Sequence, residues 1–231
     1  MIISHKYQFI FVKTKKTAGT SLEVFLSQHC GESDVVTPIN PRVEPHVARN
    51  YQHRFNPIPE LALRLRSGKS PKPVLQDIEA GIAFYNHLPA FAIHARVPRR
   101  VWNSYFKFCV ERNPWDKTLS YYHMRRHDSD QPLSFEDYLQ QGDFCLNYPY
   151  YTDISGDRVI VDRVIQYETL SQGLSEVFQR LGIPFDGDLT VRAKADRRSD
   201  RRPYTQIYTP KQRQLIETVF AKEIDLHGYQ F

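Results

Sequence analysis

The sequence is poor in cysteine and has no long apolar run. Its three cysteines, Cys30, Cys109 and Cys145, are odd in number and lack metal-ligand spacing, so we expect buried or free thiols in a reducing cytosol. No apolar run approaches the roughly 20 residues that span a bilayer, and no apolar signal segment precedes the first expected strand. These absences predict a cytoplasmic protein without a membrane span.

Two signatures of magnesium-dependent nucleotide enzymes are also missing. The sequence contains no G-x-x-x-x-G-K-[ST] loop, in which a lysine follows the second glycine and a hydroxyl group then binds magnesium. No pair of acidic residues marks a magnesium site either. We therefore expect that no metal is required.

What the chain does contain is apolar residues and positive charge. Hydrophobic residues make up 41% of the 231 residues and aromatic residues 13%, which argues against disorder. This length fits one α/β domain over residues 1–231, with a substantial core. The net charge of +5 predicts an anionic partner, and a nucleic acid, a nucleotide or an acidic glycan would each fit.

A strand, a tight turn and a helix are expected over residues 7–29. The aromatic and β-branched run at 7–12 is typical of a buried strand in a parallel sheet, and an apolar stripe at helical spacing follows from Leu22. Between them lies what we call the N-terminal turn, residues 13–21, with three lysines, three threonines, a glycine and a serine. A helix N-terminus with such side chains attracts phosphate. The alternative is an ordinary turn whose lysines face water.

A second expected strand stops at Pro114, which suits the first position of a helix. Arg112 ends the strand, and Ser120 lies about two helical turns further on. These two side chains can converge on one anion, and an arginine can bind two of its oxygens at once. The alternative is an arginine that pairs with Glu111 or Asp116.

Residues 30–80 are rich in proline and in basic residues. We expect an irregular loop with short helical pieces, which contributes to an acceptor cleft. Further along, His87 precedes a proline-containing turn, where a side chain can project into a cleft.

The two turns together resemble sulfotransferases that use 3′-phosphoadenosine-5′-phosphosulfate (PAPS). Residues 15–21, K-K-T-A-G-T-S, resemble that family's P-K-T-G-G-T-S loop. Residues 112–122, R-N-P-W-D-K-T-L-S-Y-Y, resemble its R-N-P-x-D-R-x-x-S-x-Y element, and we call them the R-N-P element. Residues 164–170 and 208–231 resemble its Y-E-x-L and D-x-x-x-G-Y-x-F segments less specifically.

The resemblance implies a role for each turn. The N-terminal turn would hold the 5′-phosphosulfate, through Lys15, Lys16, Thr17, Ala18, Gly19, Thr20 and Ser21. Arg112 and Ser120 would hold the 3′-phosphate, and the family closes a basic segment over it, which here offers Arg197, Arg198 and Arg201.

Four positions depart from the family pattern. Lys15 replaces a proline, Ala18 replaces a glycine, and Lys117 replaces the second arginine of the R-N-P element. Glu111 stands where the family usually has an apolar residue. We expect its carboxylate to face away from the phosphate site, because neighbouring residues of a strand alternate sides.

The implied reaction is direct in-line transfer of a sulfuryl group from PAPS to a hydroxyl or amine of a carbohydrate-type acceptor. Lys16 would neutralise the leaving phosphate, and His87 would take the acceptor proton. His87 lies about 25 residues before Arg112, as in the carbohydrate branch of the family. Possible substitutes as the base are Glu44, Glu60 and His94.

Two other functions are alternatives to sulfuryl transfer. One is a P-loop-type kinase or nucleotide hydrolase. The sequence does not favour it, because the lysines of the N-terminal turn precede the glycine and no pair of acidic residues marks a magnesium site. A basic nucleic-acid-binding module requires exposed aromatic residues among the basic ones, whereas here the aromatic residues lie in apolar strands and helix stripes. We therefore expect a P-loop-like α/β domain, with a central parallel sheet flanked by helices, whose partner is a hydroxyl-bearing acceptor such as a glycan and not a nucleic acid.

Overall fold

A five-stranded sheet forms the centre of the fold, as seen in a computed structural model that describes residues 1–128, 133–189, 200 and 202–231. The strands are β1 (Ile2–Ser4), β2 (Phe9–Phe11), β3 (Val35–Val36), β4 (Phe106–Glu111) and β5 (Arg163–Gln166). Their order across the sheet is β3-β1-β2-β4-β5. Strands β2, β4 and β5 are parallel neighbours, with Phe11 opposite Phe108 and Cys109 opposite Val164. Strand β1 is antiparallel to β2 and β3.

The prediction of a parallel sheet is therefore confirmed for three of these strands, and the sheet as a whole is mixed. Strands β2 and β4 lie in the segments where the sequence predicts strands, and β5 overlaps the 164–170 segment that resembles the family's Y-E-x-L. The sequence does not predict β1 and β3, because three and two residues are too few to show a period-2 pattern.

Helices surround the sheet. They are α1 (Gly19–His29), α2 (Ile58–Arg66), α3 (Lys72–Glu79), α4 (Ala90–Arg96), α5 (Arg99–Ser104), α6 (Pro114–His127), α7 (Phe135–Gln141), α8 (Tyr148–Tyr151), α9 (Leu170–Leu181), α10 (Pro210–Val219) and α11 (Ala221–His227). Single 3₁₀ turns cover Tyr167–Thr169 and Tyr204–Gln206. The segment 208–231, which resembles the family's D-x-x-x-G-Y-x-F, contains two helices, α10 and α11, which meet at Phe220.

Side chains that alternate along the strands fill two separate cores. Phe11 and Phe108 face α1 and α9, where the rings of Phe25 and Phe178 stack with their centroids 5.3 Å apart. Ile10 points to the opposite face, into a core that also contains buried residues of α4 and α5. Helices therefore flank both faces of the sheet, which is the α/β architecture expected from the sequence.

Residues 30–80 are more ordered than a surface loop. They include β3, α2 and α3, with irregular backbone between β3 and α2. The buried Glu60 carboxylate accepts hydrogen bonds from Arg64 at 2.9 Å and from Arg96 at 2.7 Å. Part of the basic character of this segment therefore neutralises an internal acid and is not available to an anionic ligand.

The three cysteines are free thiols, and two of them, Cys109 and Cys145, are buried. Across the described residues, no helix combines the length and the apolarity needed to cross a bilayer.

Candidate functional site

The N-terminal turn leaves the carboxyl end of β2 and leads into α1. Lys16 and Ala18 have left-handed backbone conformations, with φ of 61° and 57°, and α1 begins immediately afterwards at Gly19. A Cβ atom on Gly19 would lie 2.9 Å from Lys13 Cγ and 3.3 Å from Thr14 O, so only glycine fits without displacing its neighbours. Turns of this kind, at a helix N-terminus, are the backbone geometry from which anion-binding concavities are built.

Contacts from distant parts of the chain hold this turn in place. The Lys15 N–H donates to Asn147 Oδ1 at 2.8 Å, and Asn147 Nδ2 donates to Lys15 O at 2.9 Å. Thr14 Oγ1 lies 2.8 Å from Thr17 Oγ1 and also donates to Val110 O of β4. The shape of the turn therefore depends on β4 and on residues next to α8, and not on local sequence alone.

The three lysines of the turn have different environments. Lys13 is buried and pairs with Glu23 at 2.5 Å, and Glu23 also binds the N-terminal amine. Burial raises the pKa of Glu23, but the two positive charges outweigh it and lower that pKa overall. Lys15 and Lys16 are half-buried. Lys13 thus has a structural role, and the turn presents Lys15 and Lys16.

Arg112 joins the R-N-P element to the N-terminal turn. Its Nη1 donates to Lys16 O at 3.1 Å, although the two residues are 96 positions apart. Its Nε and Nη2 donate to Asp116 Oδ2 at 2.9 and 2.6 Å, and the guanidinium lies 4.3 Å from the centroid of the Tyr167 ring. The alternative pairing with Asp116 is therefore present, and the same arginine still connects the two turns.

Helix α6 places the remaining residues of the R-N-P element. Asn113 caps the helix by accepting from the Trp115 and Asp116 N–H groups, and Pro114 takes the first helical position as predicted. Ser120 is half-buried and lies four residues after Asp116, so both are on one helix face. Ser120 is thus on the side of α6 that carries the partner of Arg112.

Glu111 and Lys117 belong to a buried ion network behind the turns. Lys117 Nζ binds Glu111 Oε1 at 2.8 Å and also binds Glu223 Oε2. Glu111 further accepts from Tyr151 Oη at 3.0 Å and from Asn147 Nδ2 at 3.1 Å. Lys117 is fully buried, so it does not act as a surface substitute for the second arginine of the family pattern. The Arg112 guanidinium pairs with Asp116 rather than with Glu111.

The structure brings His87 to the start of the N-terminal turn. His87 Nδ1 is 3.0 Å from Lys13 O, which assigns the ring proton to Nδ1 and leaves Nε2 as an acceptor. Burial, and then the charge of Lys13, lower the pKa of His87 to about 4. His87 is therefore neutral at pH 7. Its ring centroid is 6.0 Å from that of Tyr150.

The other residues considered as bases are engaged elsewhere. Glu60 is enclosed by two arginines, as described above. Glu44 is exposed and pairs with Arg42 at 2.9 Å. His94 stacks on Trp102 with ring centroids 4.5 Å apart. Of these four residues, the structure places only His87 in contact with the N-terminal turn.

Sequence reasoning missed Asn147 and Tyr150. Asn147 is fully buried and holds Lys15 across 132 positions, a separation that no local pattern reveals. The Tyr150 ring lies 5.7 Å from Lys15 Nζ. Burial lowers the pKa of Lys15, but its interactions with Tyr150 outweigh this and raise that pKa overall. For Tyr150, the sequence offered one indication, the aromatic cluster N-Y-P-Y-Y at 147–151.

Two further points concern the basic segment that the family closes over the 3′-phosphate and the question of a metal site. Arg197, Arg198 and Arg201 lie outside the described residues. Within the described part of the chain, no three His, Cys, Asp or Glu side chains are grouped so that they could hold a metal ion.

Comparison with known proteins identifies a relative of this chain but does not establish an activity for it. No family model matches the chain. A solved structure described as a sulfotransferase from Alicyclobacillus acidocaldarius aligns over 97% of this chain and 96% of its own, with a TM-score of 0.46 and 18% identity. A protein from Archaeoglobus fulgidus, described as uncharacterized, is 35% identical over 113 residues, which are 47% of this chain and 94% of that protein. Because nearly the whole archaeal protein is matched at this identity, the chain belongs to the same family as that protein.

Proposed function

We propose that the protein is a sulfotransferase, which moves a sulfuryl group from PAPS to a hydroxyl or amine of a carbohydrate-type acceptor. The observation that carries the proposal is the 3.1 Å hydrogen bond from Arg112 Nη1 to Lys16 O. It joins two turns, each of which resembles a phosphate-binding element of one family. Both turns follow the carboxyl ends of neighbouring parallel strands, where ligands of open α/β sheets bind.

The residues present fit a donor with phosphates at two ends. The N-terminal turn has a glycine without room for a Cβ atom, two presented lysines, and hydroxyl groups at Thr17, Thr20 and Ser21. Arg112 has the planar fork that suits phosphate oxygens. A bound 3′-phosphate has to share this guanidinium with Asp116. PAPS, when bound, supplies the activated sulfuryl group.

The chain's own residues then have distinct tasks. His87 Nε2 would take the proton of the acceptor hydroxyl as the hydroxyl oxygen replaces the 5′-phosphate oxygen on sulfur. Lys16 offsets the charge that develops on the leaving phosphate. The hydrogen bond from His87 Nδ1 to Lys13 O holds the ring in the accepting tautomer. Anionic groups near an imidazole raise its pKa, so the donor makes His87 a stronger base.

Ligand-induced stabilisation tests this proposal. The product 3′-phosphoadenosine-5′-phosphate (PAP), without metal, should raise the melting temperature, whereas ATP with magnesium should do so less. A ligand at about 100 times its Kd contributes about 2.7 kcal/mol, which corresponds to about 5–10 °C in a chain of this size. Lys16→Ala and Arg112→Ala should lose most of this shift.

The exposed Lys211 and Arg126 provide matched controls, since Lys211→Ala and Arg126→Ala should keep the full shift. Stabilisation by ATP with magnesium alone would support a nucleotide kinase or hydrolase instead. No shift with either ligand would mean that the two turns have only a structural role.

A further inference from the structure

A cavity of about 250 Å³ borders α8, the helix that follows Asn147. Its apolar wall is formed by Phe91 of α4, Tyr148 and Pro149 of α8, and Phe220 between α10 and α11. At its edge are two exposed lysines, Lys69 and Lys222. Flat aromatic and proline surfaces suit the apolar face of a ring, and small-molecule sites combine such walls with a few polar groups.

The cavity shares α8 with the candidate site, and His87 lies in the segment that leads into α4. Phe91 is four residues after His87, and Pro149 is next to Tyr150, whose ring centroid is 6.0 Å from that of His87. Tyr148 and Pro149 line the cavity, and Tyr150 of the same helix contacts His87, so α8 connects the cavity to the candidate site. No residue of the N-terminal turn lines the cavity, so the donor and this ligand need not compete for space.

The charges around the cavity favour an anionic group on the ligand. Both acids in its wall are already satisfied: Asp153 Oδ1 accepts from the Gly156 N–H and from Ser155 Oγ, among others, and the Glu223 carboxylate binds Lys117. Burial, and then the charge of Glu111, raise the pKa of Glu223, which reduces its negative charge.

The two lysines supply the positive charge at the edge of the cavity. Lys222 Nζ donates to Gly156 O at 3.1 Å and lies 5.5 Å from the Tyr148 ring centroid. Among the described residues, neither Lys69 nor Lys222 forms an ion pair with an acid. A carboxylate or sulfate on the ligand therefore gains two cationic partners, since lysine binds such groups as a point charge.

We propose that this cavity is the acceptor subsite, and that it takes a sugar ring bearing an acidic group. The inference rests on the proposed function, because it assigns the acceptor of that reaction. It also explains how the 30–80 segment contributes to the acceptor cleft, because Lys69 follows α2 in that segment. The hydroxyl that becomes sulfated would lie on the side of the ring towards His87.

A matched pair of probes tests the binding step without the donor. We would titrate 4-nitrophenyl β-D-glucuronide and 4-nitrophenyl β-D-glucoside, which differ at the carboxylate, and follow binding by saturation-transfer NMR. The glucuronide should bind more tightly than the glucoside. Lys69→Ala and Lys222→Ala should each weaken the glucuronide about tenfold and affect the glucoside little, whereas the exposed Lys211→Ala should change neither.

A blocking variant separates cavity binding from a general effect of charge. Ser155→Trp, at an exposed position in the wall, should abolish binding of both glycosides, while Lys16→Ala and saturation with PAP should leave glucuronide binding intact. The proposal fails if neither glycoside binds, if both lysine variants bind the glucuronide as the wild type does, or if PAP displaces it.

Addition of PAPS then tests the acceptor role. The sulfated glucuronide should appear by mass spectrometry in the wild type and should be reduced about tenfold in Lys222→Ala. Binding of PAP and of the glucuronide without any sulfated product would overturn the acceptor subsite. Absence of PAP binding, with glucuronide binding intact, would instead count against the donor site, so the two failures are distinguishable.

Discussion

Replacement of Asn147 tests whether the N-terminal turn depends on its distant support. The fully buried amide accepts from the Lys15 N–H at 2.8 Å and donates to Lys15 O at 2.9 Å and to Glu111 Oε1 at 3.1 Å. Asn147→Ala removes all three partners at once. Each buried polar group left unsatisfied costs about 1–3 kcal/mol.

Part of this cost is recovered, because Lys15 is half-buried and water can replace some of the lost contacts. We therefore expect Asn147→Ala to lower the free energy of unfolding by about 2–4 kcal/mol. Since Lys15 belongs to the proposed donor site, the affinity for PAP should fall about tenfold as well, equivalent to about 1.4 kcal/mol.

Asn147→Asp gives a pH-dependent version of the same test. The new carboxylate keeps the acceptor for the Lys15 N–H but lies beside Glu111, in a network where Glu223 is the second acid and Lys117 the cation. Its pKa in the folded state should rise above its unfolded value because of burial and like charge. The folded state then binds more protons, so the variant loses stability as pH rises above the unfolded pKa.

Urea unfolding measures both effects. Asn147→Asp should be less stable than Asn147→Ala at pH 8, and the gap should close towards pH 5. Asn103→Ala, at an exposed position on α5, should stay within about 0.5 kcal/mol of the wild type. An Asn147→Ala variant as stable as Asn103→Ala, with full affinity for PAP, would refute the reasoning.

Three further predictions follow from the same contacts. Gly19→Ala should lower the free energy of unfolding, measured in urea, by about 1–3 kcal/mol, because its Cβ atom would lie 2.9 Å from Lys13 Cγ. The same variant should bind PAP more weakly, and wild-type values of both quantities would contradict this. Lys117→Met should cost about 3–5 kcal/mol in the same assay, because two buried carboxylates lose their cation, whereas Lys211→Met should be neutral. In a pH profile, kcat/KM should fall as the pH drops through about 4, the pKa of His87 in the free protein. The fall in kcat should come at a higher pH, because the bound donor raises that pKa. A fall at the same pH in both profiles would contradict the role of the donor's charge.

The sequence predicts the local units of the fold well. The run at 7–12, the glycine-containing turn and the apolar stripe from Leu22 each follow from side-chain periodicity, and the structure has β2, the turn and α1 there. The same holds for β4 and for α6 with Pro114 at its first position. These features are local, so one stretch of sequence contains all the residues that determine them.

What the sequence could not predict depends on long-range contacts. Lys13, Lys15 and Lys16 look alike in the sequence, and only the buried position of Glu23 makes the first of them structural. Asn147 has no local signature, because its partner is 132 positions away. The pKa of His87 is likewise set by burial and by Lys13, which no spacing reveals.

The most direct test of the central claim compares two ligands at the two turns. PAP and adenosine 5′-monophosphate differ only in the 3′-phosphate, so the ratio of their affinities, measured by calorimetry, reports on the group that holds that phosphate. We expect that Arg112→Ala brings this ratio close to one, and that Lys16→Ala weakens both ligands and leaves the ratio nearly unchanged. If the ratio is the same in wild type and in both variants, the R-N-P element does not bind the 3′-phosphate and the proposed donor site is wrong.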